Sequence, residues 1–322
     1  MPWRIAKPAV FITSTGRTGT KYFAWLLNRY VQQCDAFHEP DVAHSLRLLD
    51  FLQKSKRFGI LRLTVGKLSY TYNMRLLGLR YRKGGLTTLQ AARILACMRA
   101  SFVKSLCGSL YVESNVQLSG LLDVLPQAFP SCRIVWMVRD GREWVTSVMR
   151  HFAPRTRYGL VDLPSWIGPG RFSAKDCRND PWAAVWDELT PFQKNCWRWS
   201  KENQEAVQVI ERLPCARMWR FEDIFQSEKG HDHLRSVLDF VTRFPEGDRI
   251  PFELPKGVLR KKLHASSHHA FGNWTEWSTE QVAQFQAICG GMMKRLNYGI
   301  EDEWRKRCEK AIREFPEYVR RA

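Results

Sequence analysis

The chain has 322 residues, 44% of them hydrophobic, enough to bury a substantial core; no Pro/Gly/Ser-rich linker or charge block divides it, so one α/β domain over residues 1–322 is expected. No apolar run approaches the ~20 residues that cross a bilayer, and the first apolar strand begins about eight residues in, which leaves no room for a signal peptide; the expectation is a soluble, cytoplasmic protein without a transmembrane segment. Nine cysteines with no C-x-x-C pair exclude a zinc ribbon and a disulfide framework and point to reduced thiols, and the net charge of +18 points to attraction for polyanions, whether nucleic acid, acidic lipid, acidic glycan or a multiply phosphorylated nucleotide.

Residues 9–14 read as a buried strand, and from Tyr22 the apolar residues Tyr22, Phe23, Leu26, Leu27 and Tyr30 recur at helical spacing. The turn between them is Gly16, Arg17, Thr18, Gly19, Thr20. Glycines let the backbone approach a ligand, the first helical N–H groups lack intrahelical partners, and the helix dipole favours negative charge at that end. Arg17 and Lys21 add cations, so a phosphate or sulfate group fits; an ordinary strand-to-helix turn fits the glycines equally well. The spacing is not that of a Walker A loop, which needs Lys followed by Ser or Thr where this chain has Lys21-Tyr22.

Four further strands follow in a βα rhythm, at residues 35–39, 109–114, 133–138 and 215–220. Short apolar runs separated by helices predict a central parallel sheet flanked by helices on both faces, with ligands at the carboxyl ends of the strands. An Arg/Leu-rich helical insertion is expected over about residues 43–107, and a loop over 154–181, rich in Pro, Gly and aromatics, has the length of an acceptor lid. A long helix is expected over 182–213 and a basic C-terminal helix over about 301–322.

The strand ends carry the remaining candidates. Arg139 closes the fourth strand and Ser147 lies two turns into the next helix, a pair able to hold a second phosphate, although an arginine so placed also commonly pairs with a neighbouring carboxylate. At the second strand, Glu39 stands between His38 and Pro40; either Glu39 or His38 suits a general base, and side-chain alternation lets only one of them face the cleft. Glu113 is a third candidate base, with an ion pair to an arginine as the alternative. No paired carboxylates follow the fourth strand, Asp140 being the one exception, so a metal-free transfer assisted by cations is expected over a magnesium-dependent one.

These residues resemble the sulfotransferases that use 3'-phosphoadenosine 5'-phosphosulfate (PAPS). Gly16-Arg17-Thr18-Gly19-Thr20 is similar to their 5'-phosphosulfate loop, usually P-K-S-G-T-T, with Arg17 in the place of the lysine. Arg139 with Ser147, within RIVWMVRDGREWVTSVMRHF, resembles their 3'-phosphate motif; Phe221, in WRFEDI, sits where a family aromatic contacts adenine; Gly272 and Trp274, in Phe271-Gly272-Asn273-Trp274, are similar to the G-D-W segment. The likeness runs over about residues 8–300 and implies a P-loop-like sulfotransferase fold with helical insertions, PAPS as donor and 3',5'-ADP (PAP) as product, with no metal. His38-Glu39-Pro40 is similar to the lysine-glutamate-proline of glycan sulfotransferases, which implies Glu39 as base. The histidine base of the cytosolic small-molecule enzymes would fall near Asn115, which cannot serve. Ser267, His268 and His269 stand where those enzymes carry Arg-Lys-Gly, leaving Arg260, Lys261 and Lys262 as substitute cations.

The expected partners are therefore the nucleotide donor and a small-molecule or glycan acceptor hydroxyl or amine, with Trp166, Phe172, Trp182 and Trp186 available either to stack on the acceptor or to pack in the core. Two other readings remain: a P-loop-like kinase of a small molecule, which requires ATP and magnesium, and a non-catalytic polyanion binder. The second finds no nucleic-acid motif in the sequence, so nucleic acid is not the expected partner.

Overall fold

The apolar runs become β1 (Ala9–Ser14), β2 (Cys34–His38), β3 (Leu110–Ser114), β4 (Cys132–Val138) and β5 (Ala216–Arg220), all parallel, in the order β2-β3-β1-β4-β5. The sheet flanked by helices is thus the one expected, with strand ends within a residue of those expected. The computed structural model describes residues 3–42, 48–150, 158, 171–245, 249–260 and 271–319. By its contacts the chain groups into two compact units, Met1–Val138 with Ala206–Leu263, and Arg139–Glu205 with His264–Ala322.

The first unit holds the sheet. β1 is central and buried throughout, and its side chains alternate between two layers. Val10 and Ile12 join Phe23, Leu26 and Leu27 of α1 (Thr20–Tyr30) and Leu234, Val237 and Leu238 of α10 (Gly230–Thr242). Phe11 faces the other way, edge-on to Phe129 at 4.9 Å and to Tyr111 at 6.2 Å, in an aromatic layer closed by Phe102 of α5 (Thr88–Lys104). The insertion is helical as expected: α2 (Leu48–Phe58), α3 (Ile60–Leu63), α4 (Met74–Arg82) and α5. Asn73 caps α4 by accepting from the N–H groups of Arg75 and Leu76, and Thr87 with Gln90 forms a reciprocal capping box on α5. The short helices α6 (Leu125–Ala128) and α9 (Phe221–Phe225) also belong to this unit.

The second unit contains α7 (Gly141–Met149), the start of α8 (Pro191–Ile210), α11 (Thr279–Arg295), α12 (Asp302–Glu314) and α13 (Pro316–Val319). Two expectations are corrected here. The helix expected from residue 182 starts at Pro191, because Thr190 and Gln193 cap it reciprocally, the Thr190 N–H donating to Gln193 Oε1 at 2.9 Å and the Gln193 N–H to Thr190 Oγ1 at 3.3 Å. The basic C-terminal helix is not continuous: Phe315, the residue before Pro316, leaves helical geometry and splits it into α12 and α13.

Candidate functional site

The turn at residues 16–20 leaves the carboxyl end of β1 and enters α1. Gly16, Arg17 and Gly19 all have positive φ, 93°, 60° and 78°. For Arg17 this left-handed conformation costs roughly 1–2 kcal/mol; such strain persists where the surroundings over-determine it, as at ligand clamps. The β1 side of the turn is pinned by Ser14, whose Oγ accepts the Gly16 N–H at 2.9 Å and the Thr18 hydroxyl at 2.7 Å. Its α1 side has no side-chain cap, since the N-cap is Gly19, and the first turn carries no acidic residue. The helix therefore presents its N-terminal dipole and a backbone bent toward it, the geometry that holds an anion.

Phe221 and Phe225 of α9 close over this turn. A Cβ at Gly19 would meet the Phe225 ring at 3.3 Å and the Phe221 ring at 3.7 Å, and the two rings pack 4.7 Å apart. Gly19 is thus favoured by its φ, and the aromatic pair packs closely against it. Lys21 stands exposed on the first turn of α1.

Two strand positions over, β2 ends at His38, and Glu39 takes φ 46°. The alternation expected to separate His38 from Glu39 stops there, because a left-handed residue ends the pleat. Ser114, at the end of β3, links this corner to the turn. Its carbonyl accepts the Glu39 N–H at 3.1 Å and His38 Nδ1 at 3.0 Å, while its hydroxyl donates to the Thr20 carbonyl at 2.7 Å. A carbonyl only accepts, so Nδ1 of His38 carries a proton. Neighbouring strands lie about 4.8 Å apart, which puts the ends of β2 and β1 roughly 10 Å apart with β3 between them.

Just beyond Glu39, Asp41 is fully buried against Arg99 of α5, which also takes Glu113 in a fork–fork pair with two contacts of 2.7 Å. Burial alone would raise the Asp41 carboxyl, but Arg99 and Lys67 hold it well below the usual carboxylate range. Glu113 also accepts from the Tyr111 hydroxyl at 2.5 Å and from Asn115 Nδ2 at 2.8 Å. The ion pair weighed for Glu113 is therefore the one present, and its carboxylate is enclosed by partners. Asn115 in turn caps the following 3-10 turn through Gln117 N–H. What the network fixes is the Glu39-Pro40 corner, from behind.

In the second unit, Arg139 pairs with Glu143 at 3.3 Å, the alternative foreseen for a strand-end arginine. Asp140 caps α7 through the Arg142 N–H at 2.8 Å and binds the Arg142 side chain at 2.6 Å, so this carboxylate is committed to structure. Burial works against the Arg142 charge, yet hydrogen bonds to Asp140 and Glu301 raise its pKa above the ordinary guanidinium value. Its guanidinium lies over Trp274 at 4.4 Å and Trp304 at 5.0 Å. Trp274 Nε1 donates to Glu143 at 3.0 Å, and Asn273 with Glu276 forms a capping box beside Gly272. Arg139, Glu143, Trp274 and Gly272 are thus one assembly, with Ser147 one turn beyond Glu143 on α7.

Phe172 and Trp186 are buried, both packed on Trp197, at 5.1 and 4.9 Å; they belong to the core and not to an acceptor wall. Trp182 is half-buried. Trp166, Lys261, Lys262, Ser267, His268, His269, the Arg260 side chain and most of the expected lid lie outside the described residues. Ser14 and Phe225 were missed by sequence reasoning. The signal for Ser14 was available, a hydroxyl ending the strand before a glycine turn; that for Phe225 was not, since its contact is tertiary. Among the described residues no helix is long and apolar enough to cross a membrane.

No protein-family model matches the chain, and no curated protein does. Among solved structures it is similar to a sulfotransferase domain of the Synechococcus PCC 7002 olefin synthase (TM-score 0.38, 13% identity, 74% of each chain covered). It is also similar to a sulfotransferase domain from the curacin biosynthetic pathway (0.41, 14%, 92% of this chain and 100% of that one). A third is sulfotransferase STF9 from Mycobacterium avium (0.47, 12%, 91% and 78%).

Proposed function

We propose that the protein transfers a sulfuryl group from PAPS to a hydroxyl or amine of a small-molecule or glycan acceptor. The observation that carries this reading is the strained turn at residues 16–20. It combines left-handed Gly16, Arg17 and Gly19, an uncapped α1 N-terminus and an aromatic pair at its side, all at the carboxyl end of the central strand. The motif resemblance supports it further, in assigning the 3'-phosphate to Arg139 and Ser147 and the adenine to Phe221. PAPS supplies the activated sulfuryl group. The residue N–H groups at the start of α1 and the Arg17 guanidinium favour anionic oxygen and offset the charge that grows on the leaving group. Arginine stays protonated, so its contribution is electrostatic and it donates no proton to the leaving group.

Glu39, positioned by Ser114 and by the Arg99 network behind it, takes the proton from the acceptor as its oxygen or nitrogen attacks. His38 orients the same corner through Nδ1. The test is transfer of labelled sulfate from PAPS across a panel of hydroxyl and amine acceptors. A labelled product, lost in Arg17→Ala, supports the reading; a protein that binds the donor and transfers to none of them is a binder, and the proposal fails.

A further inference from the structure

Between Phe51 and Glu113 the chain carries twelve lysines and arginines and no aspartate or glutamate, two thirds of the net charge of +18. Of nine large hydrophobic side chains exposed among the described residues, six fall between Leu52 and Tyr72. Four of these are crowded into one bend: Ile60 is 59% exposed, Leu61 78%, Val65 68% and Leu68 67%. The backbone that presents them is anchored. Phe58 is buried 4.9 Å from Phe102, Leu63 is buried, Arg62 donates to the Met98 carbonyl, and Asn73 donates to the Lys67 carbonyl at 2.7 Å. Lys56 and Arg57 stand exposed immediately before the bend.

Two of these cations are met by acids from outside the segment, Lys67 by Asp41 at 3.0 Å and Arg99 by Asp41 and Glu113. From the pairing of an apolar crest with a cationic segment that carries no acidic residue of its own, we infer that the bend at residues 60–68 docks the protein on an anionic phospholipid surface. Apolar side chains flanked by lysine and arginine suit the headgroup–acyl boundary, where they enter about 5–10 Å while the cations meet lipid phosphate. Charge selects this occupant. A second copy of the chain would bring the same positive segment and repel it, and a nucleic acid or acidic glycan would leave Ile60, Leu61, Val65 and Leu68 in water. Docking is independent of the transfer reaction and is read without any donor.

The experiment is co-sedimentation of the full chain with vesicles of phosphatidylcholine alone, and of phosphatidylcholine and phosphatidylglycerol in equal parts, at low and high salt. Binding to the anionic vesicles only, weakened by salt and reduced at least about tenfold in Leu61→Ser/Val65→Ser/Leu68→Ser, is the expected result. The charge reversal Lys56→Glu should weaken it several-fold. Circular dichroism checks the fold of the triple variant, and hydrogen exchange on the wild type supplies a readout free of mutation, with residues 60–68 protected by anionic vesicles. Absence of binding to anionic vesicles, undiminished binding by a folded triple variant, or exchange at residues 60–68 unchanged by vesicles would overturn the inference. So would a wild-type dimer that the triple variant dissociates while vesicle binding stays the same.

Discussion

The Ser114 hydroxyl donates to the carbonyl of Thr20 at 2.7 Å, tying the end of β3 to the first residue of α1. Because the Ser114 carbonyl also receives Glu39 and His38, one buried serine joins the anion turn to the candidate base. Ser114→Ala leaves the Thr20 carbonyl without this donor inside the protein, a loss of about 1–3 kcal/mol. Urea denaturation should show it, and turnover should fall by more than the fraction unfolded explains. Unchanged turnover per folded molecule would separate Ser114 from the site.

Arg99 holds Asp41 and Glu113 together with no exposure to solvent. Arg99→Met takes the guanidinium from two buried carboxylates, leaving Asp41 with Lys67 and Glu113 with Tyr111 and Asn115, and should cost about 3–5 kcal/mol, the range for breaking a buried pair from one side. The Asp41 carboxyl is depressed in the folded state, so its stabilising contribution is complete above the unfolded value of about 3.9 and is lost as pH falls through the lower folded value. Thermal midpoints should therefore decline in strong acid, below about pH 4, and Asp41→Asn should remove part of that decline.

Arg17 carries backbone strain, with φ at 60°, and a guanidinium within the turn sequence. Arg17→Gly relieves the first, at roughly 1–2 kcal/mol, against about 0.5–1 kcal/mol of added unfolded-chain entropy. Stability by denaturation should stay within about 1 kcal/mol of wild type, while affinity for 3',5'-ADP drops and turnover falls at least about tenfold. Gly19→Ala should do worse on both counts, since its φ of 78° strains an alanine and the Phe225 ring at 3.3 Å would have to shift by a few tenths of an ångström.

Glu143 engages both Arg139 and Trp274. Glu143→Gln retains an acceptor for the indole N–H and removes the negative charge beside Arg139. If Arg139 receives the 3'-phosphate, affinity for 3',5'-ADP by calorimetry should hold or rise a few-fold, and Arg139→Ala should lower it at least about tenfold. A drop in affinity with Glu143→Gln would mean that Arg139 serves the Glu143 contact alone.

The strands were legible because each is a short apolar run closed by a polar or glycine-bearing turn, and period and punctuation agree in all five. Thr190-Pro191-Phe192-Gln193 carried the start of α8 in plain view, but the tryptophans before it draw the eye to an earlier beginning. The Glu39 corner was legible in composition and not in conformation: strand alternation holds only while φ stays extended, and nothing local announces a left-handed glutamate. Of the Arg99 network only an ion pair of Glu113 with some arginine was legible; the identity of Arg99 and the inclusion of Asp41 were not, since the network joins α5, β3 and the turn after β2.

Glu39→Gln keeps the side chain's size and removes its basicity. With an acceptor in hand, turnover should fall at least about a hundredfold while 3',5'-ADP affinity stays near wild type; near wild-type turnover would remove Glu39 as base.

Whether the turn at residues 16–20 serves a phosphosulfate nucleotide is decided by isothermal titration of the full chain with 3',5'-ADP in the presence of a chelator, beside ATP with magnesium. Saturable, tight binding of 3',5'-ADP without metal and little heat from ATP is the expected result. Binding of ATP only when magnesium is present, with no response to 3',5'-ADP, would contradict it.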